Sequence, residues 1–145
     1  MKLETYAAEA RGADLRPYST DLEPNGNTDV VIKVTHCGIC HSDIHMIDND
    51  WGMSNYPLVP GHEVVGEVVE VGKGISHLKV GDRVGVGWQR SACLECDDCL
   101  AGNENLCDET QSLIGDGFGG FADYLVVDGH FAFALPDGVE SRFAG

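Results

Sequence analysis

Cys93, Cys96, Cys99 and Cys107 stand in the pattern C-x2-C-x2-C-x7-C within fifteen residues. Thiolates this close together can fold around one tetrahedral ion with Zn–S near ~2.3 Å, and a closed shell of four sulfurs is what structural zinc uses. Two disulfides are one alternative, but neighbouring C-x-x-C pairs in a chain without an export signal more often hold metal than bridge. An iron–sulfur cluster is the other, since three cysteines at this spacing also open the bacterial ferredoxin run. There the fourth cysteine follows after three residues and precedes proline. Here Cys107 follows after seven and precedes Asp108.

A second group of metal-type residues lies upstream: Cys37, Cys40, His41 and His45, then His62 and Glu63 in the run Pro60-Gly61-His62-Glu63. Cys40 and His62 are twenty-two residues apart, so only folding could bring them together. Taken singly, each has a plainer role: a buried cysteine behaves as a small apolar residue, and a lone histidine is more often part of the core or surface.

The elements that must position these residues read as short strands. Asp29 to Thr35 puts Val30, Ile32 and Val34 on one face, and Asp29, Val31, Lys33 and Thr35 on the other, which is strand period. Glu63 to Val71 is a longer strand whose Gly66 predicts a bend or bulge of the kind that curls a sheet. Arg83 to Val86, Phe121 to Val127 and Phe131 to Leu135 are further strands, separated by Gly-Asp, Asp-Gly and Gly-Gly turns. Cys40 to Asp48 predicts about two turns of helix, with Ser42 and Asp43 supplying cap chemistry. Residues 88–116 are rich in Cys, Gly, Asn and Asp without sustained period, and predict an excursion held by metal rather than by its own core.

The 145 residues are one domain's worth. Nine basic against 24 acidic residues give a net charge of −15, made more negative by two if four thiolates hold one Zn²⁺. Nucleic acid and anionic membrane surfaces are disfavoured as partners, because the scattered Lys and Arg form no patch to neutralise phosphates. The plain reading of so much acid is solubility. No apolar run approaches a membrane span, and Met1 to Gly12 carries Glu4 and Glu9 where a signal peptide needs apolar residues. The expected location is the cytoplasm, with reduced thiols.

The order Gly38-Ile39-Cys40-His41-Ser42-Asp43-Ile44-His45, then Tyr56 to Glu63 (YPLVPGHE), Gly81-Asp82-Arg83-Val84-Gly85, the four-cysteine loop and Gly119-Gly120-Phe121-Ala122 resembles the zinc-dependent medium-chain alcohol dehydrogenases. The resemblance is to their cinnamyl-alcohol-dehydrogenase-like branch and runs from about Tyr6 to Asp137. It implies a mainly β fold over residues 1–145: a GroES-like, partly open β-barrel with short helices and a zinc-stabilised four-cysteine loop. Cys93, Cys96, Cys99 and Cys107 would then hold structural zinc. Cys40 and His62 would be ligands of a catalytic zinc, with Glu63 beside the metal as alternative ligand. Zinc in such a set leaves a position open and favours alkoxide near neutral pH.

The resemblance also implies that Ser42 takes the alcohol proton, which passes through the cofactor ribose to His45 and on to solvent. Asp43 would be the carboxylate orienting His62. His41 matches a position near the cofactor pyrophosphate, and Met46, Trp51 and Met53 match the apolar wall of the substrate pocket. The substrate would be an alcohol or aldehyde and the cofactor NADP rather than NAD.

Three departures from the family shape the expectation for this chain. Gly115 to Gly120 reads G-D-G-F-G-G and follows no convincing strand, so it fails as a dinucleotide loop, and residues 1–145 are expected to hold no Rossmann domain. The family's third catalytic-zinc ligand, a cysteine, is expected just beyond Gly145, which predicts a catalytic site that is empty, partly occupied or completed by Glu63, water or a neighbouring chain. The loop from Asp108 to Gly117 is also shorter than its counterparts. The chain is accordingly expected to be the catalytic portion of an alcohol dehydrogenase that binds no NADP and is inactive alone. Its expected partners are a separate Rossmann half or a second copy. The alternatives are a non-catalytic zinc-binding or dimerising module, and a zinc ribbon for nucleic acid, which the charge disfavours.

Overall fold

The computed structural model describes residues 2–24, 26–115 and 118–145. Asp116 and Gly117, at the end of the cysteine-rich excursion and inside the glycine cluster, lie outside the described residues, as does Met1. The described chain is mainly strand: β1 (Lys2–Ala7), β2 (Arg16–Asp21), β3 (Asp29–Cys37), β4 (Val64–Val71), β5 (Arg83–Val86), β6 (Gln89–Ser91), β7 (Gln111–Ser112), β8 (Tyr124–Asp128) and β9 (Phe133–Ala134). Two short helices, α1 (His41–Asp48) and α2 (Asp97–Leu100), and three 3-10 turns complete it. No helix among the described residues is long and apolar enough to cross a membrane.

The main sheet is antiparallel, in the order β8-β3-β4-β5-β9, flanked by the β1–β2 and β6–β7 pairs. Its edge strands β8 and β9 are joined only by the turn at Gly129–Phe131 and by Ala132. Across a flat sheet those edges would be ~19 Å apart, at ~4.8 Å per strand, beyond the reach of so short and partly coiled a connection. The sheet must curl, and it wraps a core of Val30, Ile32, Val64, Val68, Val84, Leu125 and Val127.

The expected strand at Asp29 runs two residues further, to Cys37, and the one expected from Glu63 starts at Val64. Val31, expected on the face away from the core, is also buried. Gly66 does not itself bulge. The extra residue is Thr35 of β3, opposite the Val65–Gly66 step, and β4 carries its own extra residue at Val69. Gly66 is required by close approach, because a Cβ there would strike Ile32 Cγ2 and come within 2.5 Å of the Lys33 carbonyl oxygen. Gly66→Val is therefore expected to cost about 3 kcal/mol by overpacking, read as a lower midpoint in urea at unchanged slope.

The strand expected over Phe121 to Val127 begins at Tyr124, because the preceding residues pair with β1 instead: Tyr6 N–H donates to Phe121 O (2.9 Å) and Asp123 N–H to Glu4 O (3.0 Å). Phe131 closes a 3-10 turn rather than opening a strand. The β1–β2 hairpin is a further strand pair, with Leu3, Thr5 and Ala7 facing inward.

Candidate metal centres

The four cysteines are gathered by local structure. Cys93 follows β6, Cys96 caps α2, Cys99 lies within α2, and Cys107 closes the 3-10 turn Glu104–Leu106. Their sulfurs lie within 4.8 Å of one another, with Cys93 Sγ 3.5 Å from Cys107 Sγ and 3.9 Å from Cys99 Sγ. A tetrahedron with Zn–S of ~2.3 Å has edges of ~3.8 Å, so the set fits one zinc ion. A disulfide would need ~2.05 Å, and all six cysteines of the chain are free. Backbone N–H groups of Glu95 and Cys96 aimed at its sulfur bring the Cys93 thiol down to about 7, whereas burial pushes Cys99 up to about 12. Thiols must ionise to ligate, so loading this lobe releases protons.

The second group is assembled by the β3–β4 pairing. Cys37 of β3 lies opposite Val64 of β4, and Gly38 N–H donates to Glu63 O at 2.8 Å. Cys40 follows as the N-cap of α1, while His62 and Glu63 lead into β4. The ligand atoms of Cys40, His62 and Glu63 lie within 4.8 Å of one another. A Cβ on Gly38 would strike Glu63 Oε2, so glycine at that corner makes room for the carboxylate.

Asp43 organises this corner. Its carboxylate accepts from Cys40 N–H (2.9 Å) and Gly61 N–H (2.8 Å) and lies 3.3 Å from His62 Nδ1. Its side chain is only 3% exposed. The helix cap expected from Ser42 and Asp43 together is therefore Asp43's, acting on the backbone of Cys40. A donor at Nδ1 leaves His62 Nε2 as a lone pair for metal, the usual reason a carboxylate backs such an imidazole.

Ser42 Oγ lies 3.7 Å from Cys40 Sγ. His45 Nδ1 is 2.8 Å from Asp50 Oδ2, and its ring centroid is 4.7 Å from His41 and 5.2 Å from Trp51. Trp51 and Met53 are about half exposed. Met46, expected in the pocket wall, is instead fully buried and packed with Leu58 and Ile114; it shares the inward face of α1 with Asp43, three residues earlier. Cys37 is not among the gathered ligands, and burial pushes its thiol up to about 11, which keeps it protonated.

Trp88 is the residue that sequence reading passed over. Its ring lies 5.2 Å from His62 at 78° and 6.2 Å from Trp51. The only signal in the sequence is an indole at the start of the cysteine excursion, and its distance in sequence from His62 hides the contact. His62 and Glu63 also share an open cleft of about 410 Å³ with Phe133, Leu135, Ala144 and Gly145.

An alcohol dehydrogenase GroES-like domain model matches residues 26–137. The chain is 46% identical over 143 residues to the aldehyde reductase AdhA of Synechocystis sp., covering 99% of this chain and 43% of that protein. It superposes on a cinnamyl alcohol dehydrogenase of Sorghum bicolor with a TM-score of 0.93 at 40% identity, over 99% of this chain and 43% of the other. A Helicobacter pylori CAD, solved in complex with NADP(H), gives 0.94 at 29% identity, over 99% and 44%. The chain thus spans less than half the length of these relatives. The matched domain, carrying a Cys-His-Glu corner on its curled sheet and a four-sulfur lobe between β6 and β7, places the chain in the zinc-dependent medium-chain alcohol dehydrogenase family, in its cinnamyl-alcohol-dehydrogenase-like branch.

Proposed function

We propose that this chain is the catalytic-domain portion of a zinc-dependent, NAD(P)-linked alcohol dehydrogenase acting on a small alcohol or aldehyde. The observation that carries this reading is the corner in which Cys40, His62 and Glu63 converge while one buried carboxylate, Asp43, holds the His62 ring and the Cys40 backbone. Zinc bound there supplies a Lewis acid for the alcohol or carbonyl oxygen. Cys40 Sγ and His62 Nε2 would hold it, with Glu63 as the third residue that could ligate. Asp43 fixes the tautomer of His62. Ser42 receives the alcohol proton, and His45, oriented through Nδ1 by Asp50, delivers it to solvent. Trp51, Met53 and Trp88 form the apolar side of the substrate mouth, and His41 faces the cofactor.

NADP is the cofactor of the whole enzyme in this reading, and the four-cysteine lobe is its structural zinc site. The location is the cytoplasm, where the thiols stay reduced. Trp51 and Met53 belong to a surface that a cofactor domain covers; uncovered, they favour self-association. The test is to incubate the chain with NADPH and an aromatic aldehyde, alone and with a separately expressed Rossmann domain. No NADPH oxidation is expected from the chain alone, and oxidation is expected with the second domain. Turnover by the chain alone would overturn the reading that it lacks the cofactor site, and failure to bind metal at Cys40 and His62 even with the Rossmann domain present would overturn the catalytic role.

A further inference from the structure

A continuous run of short contacts joins the two metal-type sites. Cys107 N–H donates to the Glu104 carbonyl at 3.2 Å. The same carbonyl accepts from Gln89 Nε2 at 2.8 Å, and that amide also donates to Thr110 Oγ1 at 2.6 Å. Gln89 opens β6, paired with Ser112 of β7, and directly follows Trp88, whose carbonyl accepts from Leu113 N–H at 2.7 Å. The Trp88 ring then meets His62 edge to face. A second tie runs from the Glu104 carboxylate to His130 of the barrel, at 3.2 Å.

The lobe has little else to hold it. Its α-helix is four residues long, too short to be stable alone, and Leu100 and Leu106 point to solvent, 74% and 59% exposed. Its order depends on metal in the manner of small zinc modules. Releasing Cys107 therefore frees the Glu104 carbonyl, and with it the acceptor that Gln89 uses.

We infer that Gln89 is a positioning residue: it clamps the base of the four-cysteine lobe and thereby seats Trp88 against His62, coupling the lobe's metal to the Cys40–His62–Glu63 site. The inference rests on the function proposed above for the meaning of that site, but the seating of Trp88 is measurable without it. Coupling of this kind is reciprocal and of modest size.

The experiment uses the chain carrying Trp51→Phe, so that Trp88 is its single indole. Gln89→Met keeps the length and removes the amide, and Gln89→Lys restores a donor. Acrylamide quenching of Trp88, lobe zinc content and Co²⁺ affinity at Cys40 and His62 are measured in each. Gln89→Met is expected to keep the lobe zinc, raise quenching about 2-fold and weaken Co²⁺ binding about 5-fold, with Gln89→Lys returning both toward the parent. Chelating zinc from the unmutated lobe is expected to raise Trp88 quenching likewise, which keeps the test decisive if Gln89→Met loses the lobe zinc itself. Quenching unmoved by either perturbation overturns the positioning role. Raised quenching with unchanged Co²⁺ affinity overturns the coupling. A parent chain that never binds Co²⁺ at Cys40 and His62 overturns the coupling, while the quenching still decides the role of Gln89.

Discussion

Cys107→Ser is expected to remove one zinc ion per chain and to melt the lobe from Gln89 to Ser112 while the curled sheet persists. Structural zinc contributes apparent binding free energies of about 10–16 kcal/mol in small modules, so losing one of four thiolates takes away most of what orders this segment. Nothing in the lobe replaces it, because its apolar residues Leu100 and Leu106 face solvent and it contributes only Leu94 and Ala92 to the fringe of the main core. The sheet core of Val30, Ile32, Val68, Val84 and Val127 does not depend on the metal. Metal analysis should fall by one zinc, and limited proteolysis should cut between Cys93 and Gln111 while leaving the β3–β4–β5 region resistant. The unmutated protein should be colourless, since Zn²⁺ is d¹⁰ and iron–sulfur clusters absorb visible light. Iron in the purified chain, or a Cys107→Ser protein that keeps its zinc and its resistance, would refute the assignment.

The lobe was legible in the sequence because its ligands are local: C-x2-C-x2-C-x7-C brings four sulfurs within reach of one ion whatever the rest of the chain does. The second site is different. Cys40 and His62 meet only because β3 and β4 pair with Cys37 opposite Val64, and a bulge at Thr35 shifts the register by one residue on the way. Gly66 marks the neighbourhood of that irregularity in the sequence but not its strand or its register, so family resemblance had to bring the two residues together. The strands around Val30 and Val64 were visible as apolar runs, but their faces were misjudged at Val31, where both sides of the sheet are covered.

Boundaries failed where tertiary pairing overrode propensity. Phe121 and Asp123 look like the start of a strand, yet their backbone groups are taken by β1. The β1–β2 hairpin itself carries the alternation Leu3, Thr5, Ala7 inward and Lys2, Glu4, Tyr6 outward, a strand signal too short and too polar to stand out beside the question of a leader peptide. Met46 could have been placed correctly, since Asp43 and Met46 at i and i+3 share a helix face and the carboxylate that must reach His62 points inward. Trp88 could not, because its contact with His62 depends on where the lobe docks.

Cys40→Ala is expected to abolish metal binding at the second site, and with it the aldehyde reduction that a Rossmann domain supplied in trans should support. Only His62 and Glu63 would remain, and a thiolate is the strongest anchor of the three for zinc. Asp43→Asn should have a graded effect: the side chain keeps its volume, but it loses the charge that backs His62 and one of the acceptors shared by Cys40 N–H and Gly61 N–H. Loss of such a supporting group costs about 10- to 100-fold in metal affinity, and here the helix cap is weakened as well. Co²⁺ titration followed by the thiolate-to-cobalt absorption separates the cases: no band for Cys40→Ala, a band at about 10-fold or more higher Co²⁺ for Asp43→Asn, and an unchanged lobe zinc in both. Turnover in trans should follow the same order. Equal metal affinity in Asp43→Asn and the parent would mean that His62 is held by packing alone, with the edge of Trp88 rather than the buried carboxylate setting its orientation.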